Sequence, residues 1–110
     1  MSGLLVALGA AVGAALRFVV ASRYDGRGGL PAGTMVVNVV GSGLLGAFSA
    51  MALSGHATAL LGTGFCGGLT TYSAFAVHTH GLGPRRGTAY AAGTIALSLG
   101  ACALGFALYA

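Results

Sequence analysis

Several polar and aromatic side chains recur at helical spacing in a chain that is otherwise apolar. Thr34, Asn38 and Ser42 stand four residues apart, as do Tyr90, Thr94 and Ser98, while Tyr72 and Phe75 stand three apart. Residues so spaced share one face of a helix. What they offer is hydrogen-bond donation: an amide NH2, a run of hydroxyls, and aromatic rings whose edges carry partial positive charge. Donors of this kind can replace the water around a small anion. Each also has a plainer reading, with Asn38 in an interhelical hydrogen bond and the aromatic pair in core packing. Arg17 lies in the last turns of the first apolar stretch, where an ionised side chain is costly unless it snorkels to the nearby loop or faces a wet vestibule that attracts anions.

The elements that must position these groups are membrane helices. Of 110 residues, 56% are hydrophobic and 5% charged, a composition that excludes an ordinary water-soluble globule. A spanning helix needs about 20 mostly apolar residues. Four such stretches fit between the charged or turn-rich breaks, at about residues 3–22, 32–53, 58–80 and 87–109, forming a single four-helix transmembrane domain. The third is unusual. Residues 62–75, GTGFCGGLTTYSAF, hold four glycines, three threonines and a serine among aromatics. Glycine and β-branched threonine are mediocre helix formers, so a helix broken partway across the membrane is expected there. Backbone opened at that depth must face protein, water or an ion, because lipid cannot hydrogen-bond to it.

Several alternatives fail on the residues. Asp25, in a glycine- and proline-rich first loop, is the only acid, so no carboxylate lies in any span. A small proton-coupled drug or cation exporter of four helices, the main rival class, would be expected to carry one. Five arginines give a formal charge of +4, but they sit mostly in two short loops, as topology signals rather than a nucleic-acid patch. Gly62, Gly64 and Gly67 spell G-x-G-x-x-G without a βαβ context, and there is no lysine for a phosphate loop. Cys66 and Cys102 read as small packing residues, His56 as an exposed turn residue, and His78 with His80 as an unsuitable metal pair. Gly9 and Gly13 form a G-x-x-x-G pair, serving packing within the bundle or a seam between subunits. Four helices offer little interior for a polar path, so an oligomer is expected.

GFCGGLTTYSAF, with GTMVVNVVGSGLLG upstream and GAALRF in the first helix, resembles the Fluc (also called CrcB) family of fluoride channels over essentially the whole chain. The resemblance implies an all-α membrane protein with a break in its third helix, assembled as an antiparallel, dual-pore dimer in the plasma membrane. It implies fluoride-selective, passive export from the cytoplasm that relieves fluoride toxicity, and no enzymatic chemistry. Gly67 and Thr70 match positions whose backbone carbonyls hold a structural, untransported sodium ion. Asn38 and Phe75 match pore residues, and Tyr72 stands where the family usually has phenylalanine. Tyr90, Thr94 and Ser98 correspond to a polar pore track and Arg17 to a vestibule arginine. A non-conducting subunit of a heterodimeric channel is the remaining alternative.

Charge placement bears on the partner. Arg23 and Arg27 fall in the first loop and Arg85 and Arg86 in the third, while the second loop and both termini carry no lysine or arginine. The positive-inside rule then puts the first and third loops in the cytoplasm. A fixed orientation predicts pairing with an oppositely biased paralogue, whereas retention of Asn38 and Phe75 suits a homodimer.

Overall fold

The computed structural model describes residues 2–25 and 30–110. Arg27, one of the topology arginines, lies outside the described residues, as do the loop glycines at 26, 28 and 29. The described residues form an all-helical protein of 43 × 28 × 18 Å. Its long axis exceeds the roughly 30 Å hydrocarbon thickness of a bilayer.

Helix α1 (Ser2–Tyr24) is turned inside out relative to a helix of a soluble protein. Its buried residues are Gly9 and Gly13, while Leu4, Leu8, Val12 and Phe18 are exposed. Lipid solvates leucine as well as a protein core does, so association relies on close backbone contact instead. A Cβ on Gly9 would lie 2.1 Å from the Leu60 carbonyl oxygen, and one on Gly13 would lie 2.3 Å from that of Phe65. The G-x-x-x-G pair therefore serves packing within the subunit, against the third segment.

Helix α2 (Ala32–Met51) packs along α6 (Gly83–Tyr109). With α1, these are the three uninterrupted helices long and apolar enough to cross a membrane among the described residues. The third segment is composite. Ser54 caps it by accepting the Ala57 N–H at 3.2 Å, after which come α3 (Gly55–Ala57), a π-helical stretch (Thr58–Cys66) and α4 (Gly67–Leu69). His56 is exposed in the opening turn. Thr70 is extended, with φ −82° and ψ 158°, and helix resumes as α5 (Ser73–Gly81).

Helix α6 begins at Gly83, ahead of the expected start near residue 87. The Gly-Pro-Arg-Arg run reads as a loop in sequence, yet proline fits a helix's first turn, where its missing N–H has no partner to lose. Only Leu82 separates α5 from α6. The first turns of α6 lie beside the start of α2, since the Tyr90 hydroxyl donates to the Pro31 carbonyl at 3.3 Å.

Candidate functional site

At the interruption between α4 and α5, side chains from other helices take up the backbone groups that helix geometry leaves free. The Thr70 N–H and Oγ1 both donate to the Cys66 carbonyl, at 3.0 and 2.8 Å. Arg17 Nε, on α1, donates to the Gly68 carbonyl at 3.1 Å. Asn38, on α2, engages Thr71 twice: its Nδ2 donates to the Thr71 carbonyl at 3.0 Å, and its Oδ1 accepts the Thr71 N–H at 2.7 Å. Thr71 Oγ1 then accepts the Ala74 N–H at the start of α5. Without such partners each buried backbone group would carry a desolvation cost of about 1–3 kcal/mol.

The carbonyls of Gly67 and Thr70 are among those that remain. Neither Gly67 O nor Thr70 O accepts a hydrogen bond among the described residues. The N–H that would serve Gly67 O in a continued helix is that of Thr71, which is bonded to Asn38 instead. A Cβ on Gly67 would meet nothing within 4 Å, so the backbone there is open to approach. Uncharged carbonyl oxygens in this state suit a hard cation such as sodium, which takes oxygen ligands. Gly41 supports the same spot, for a Cβ on it would lie 2.3 Å from Thr70 Cγ2.

Beside the interruption is a cavity of about 620 Å³. Asn38 and Ser42 line it from α2, Thr70 to Tyr72 from the interruption, Phe75 from α5, and Thr94 and Ser98 from α6. None of its lining residues is charged. The hydroxyls of Thr94 and Ser98 are buried with no hydrogen-bond partner among the described residues, a state shared by Thr79 away from the cavity. That is a costly state for a polar atom unless something enters to use it. The Phe75 ring stacks on Tyr90 with centroids 5.8 Å apart, and Tyr72 tilts at 43° to Phe75 at 6.3 Å.

The structure sorts the sequence-derived stripes. Asn38, Tyr72, Phe75, Thr94 and Ser98 meet at the cavity, while Thr34 and Tyr90 do not line it. Thr34 is buried and bonded to Asp25, and Tyr90 is buried with its phenol on Pro31. Tyr72 is 81% exposed, at the rim. Sequence reasoning missed Thr71, whose backbone is the object Asn38 holds. The only signal for it is the Thr-Thr pair that follows the glycines.

The family model described as CrcB-like protein, Camphor Resistance (CrcB), matches residues 4–106. The chain belongs to the CrcB family. Among curated relatives it is 46% identical over 112 residues to fluoride-specific ion channel FluC 2 of Rhodococcus jostii (strain RHA1), covering 98% of each chain. It is 44% identical over 113 residues to fluoride-specific ion channel FluC 1 of Thermobifida fusca (strain YX), covering 97% of this chain and 94% of that one. A third relative, FluC 2 of Halobacterium salinarum, is 46% identical over 112 residues. CrcB membership and the three spanning helices make this a multi-pass membrane protein.

Proposed function

We propose that this CrcB chain is a fluoride-selective channel of the plasma membrane, releasing fluoride passively from the cytoplasm. The observation that carries the reading is the pair of buried, unpartnered hydroxyls, Thr94 and Ser98, on residues that line an uncharged cavity. Fluoride is small and strongly hydrated, so its shell must be replaced by converging donors that do not trap it as a fixed cation would. Thr94 and Ser98 supply O–H donors. Asn38 Nδ2 has a second hydrogen beyond the one given to Thr71. The edges of Phe75 and Tyr72 extend the path, and Tyr90 braces Phe75 by stacking. Arg17 uses Nε on Gly68, leaving its terminal nitrogens to attract anions at a vestibule. Transport down a gradient requires no covalent step.

The carbonyls of Gly67 and Thr70 are the groups that would hold a structural sodium ion. Bound there, it would supply a fixed positive charge at the interruption. The chain would work as an antiparallel dimer, each pore drawing on both subunits. One-sided arginine placement favours an oppositely oriented paralogue, and relatives numbered FluC 1 and FluC 2 fit the existence of such pairs.

The test is fluoride efflux from liposomes holding this subunit, alone and with a neighbouring paralogue, with chloride as control. Fluoride flux without chloride flux is expected, and Phe75→Ile is expected to abolish most of it while leaving assembly intact. A wild-type protein that leaves fluoride gradients undisturbed in both preparations rejects the channel. Phe75→Ile at wild-type flux rejects the placement of the path.

A further inference from the structure

Asp25, the protein's only acid, has no part in the path described above, yet it joins three helices at one end of the molecule. It is half-buried just beyond α1. Its Oδ1 accepts the Thr34 N–H at 2.9 Å, and its Oδ2 accepts the Thr34 hydroxyl at 2.6 Å. The same Oδ2 lies 3.4 Å from His78 Nε2, the two side chains being 14% and 34% exposed. Thr34 is on α2, one turn before Asn38. His78 is on α5, one turn after Phe75. A single carboxylate thus grips the neighbours, by one helical turn, of two residues assigned to the path.

We infer that Asp25 is a positioning residue, setting through Thr34 and His78 the spacing between the faces of α2 and α5 that present Asn38 and Phe75, and that its His78 arm strengthens with protonation. The inference rests on the fluoride-channel reading. The two arms differ in kind. Thr34 binds the carboxylate through neutral donors at any pH near neutrality. An imidazole holds it by charge and hydrogen bond when protonated, and only by the weaker neutral bond otherwise.

Among the described residues His78–Asp25 is the only ion-pair contact, and Arg23 and Tyr24, exposed in the last turn of α1, make none with Asp25. Helix α2 has no titratable side chain. Helix α6 has Arg85 and Arg86 in its exposed first turn, Tyr90 committed to Pro31, and Cys102 and Tyr109 far along its length. On α5 itself, His80 is exposed. A second tie, Tyr90 stacked on Phe75 and bonded to Pro31, keeps α5 near α2 whatever the charge on His78. The device therefore modulates spacing rather than opening or closing the fold. Its location carries a physiological logic, for fluoride that enters a cell as the neutral acid releases a proton with the anion. The arginine-bearing end, which the positive-inside rule assigns to the cytoplasm, is where that proton would arrive.

The deciding measurement is fluoride efflux from liposomes at pH 6 and pH 8, with empty-liposome leak subtracted, for the wild type, His78→Gln and Asp25→Asn, with assembly read by size exclusion. The wild type should pass roughly two- to fivefold more fluoride at the lower pH, the scale of one partly exposed ion pair. His78→Gln keeps an N–H for Asp25 but cannot charge, so its flux should be the same at both pH values. Asp25→Asn should lower flux at both in protein that still assembles. A wild-type ratio of one, or a His78→Gln protein that keeps the wild-type ratio, overturns the inference while leaving the channel intact. Should Asp25→Asn fail to assemble, the His78→Gln arm still decides. Absence of fluoride flux from the wild type at both pH values overturns the channel reading and this inference with it.

Discussion

Thr94 and Ser98 differ from Thr70 and Thr71, the other hydroxyls at the cavity with assigned partners, in making no hydrogen bond among the described residues. Replacing a buried, unpaired hydroxyl with a methyl group removes a desolvation cost and no bond. Thr94→Val should therefore leave the melting temperature unchanged or raise it. If fluoride uses that hydroxyl, the same variant loses a hydrogen bond to an anion, worth about 1.5–3 kcal/mol, so flux should fall roughly tenfold or more. Thermal unfolding and liposome efflux on one preparation check both halves. Flux at the wild-type level would remove Thr94 from the path.

At the scale of elements, the third segment is held in place by backbone contact with α1. A Cβ on Gly13 would stand 2.3 Å from the Phe65 carbonyl oxygen and 2.7 Å from the Leu69 amide nitrogen. Neither is the end of a flexible side chain that could swing away. Gly13→Val should force the helices apart at a cost of about 1–3 kcal/mol or more. The expected result is little assembled protein on size exclusion, and Gly3→Ala, which meets nothing within 4 Å, should assemble normally.

Much of this arrangement is legible from residue types, and the limits are specific. The four apolar stretches and the glycine- and threonine-rich interval follow from composition, because membrane length and helix propensity act locally. The π-helical winding of Thr58–Cys66 has no compositional signature, since a wider turn depends on what packs beside it. Asp25 reads as a loop residue because its hold on Thr34 and His78 exists only after the chain folds back. For the same reason Asn38 is legible as a polar residue needing a partner, but its partner, 33 positions away, is not.

Across the whole molecule, polarity is distributed by end rather than by surface and core. Arg23, Arg85 and Arg86 lie at the end where the Tyr90 phenol meets Pro31, and α6 runs from there to Tyr109. Juxtamembrane arginines orient a chain by remaining on the cytoplasmic side. Reporter fusions at Ala110 should accordingly signal from the outer compartment alone. Equal signal from both compartments would establish dual insertion and favour a homodimer over a pair of paralogues.

The paired hydrogen bonds between Asn38 and Thr71 bear on any later mutagenesis. A side-chain amide presents the same donor and acceptor pair as a peptide group, so Asn38 acts toward Thr71 as a one-residue substitute for a neighbouring β-strand. Aspartate would keep the shape and lose the donor, and glutamine would carry the amide a methylene too far. The identity of residue 38 is thus dictated by the backbone it imitates, independently of the ion. Dead channels from substitutions there report a collapsed scaffold as readily as a lost ligand, and the proposed contacts to the ion are tested instead at Thr94 and Ser98.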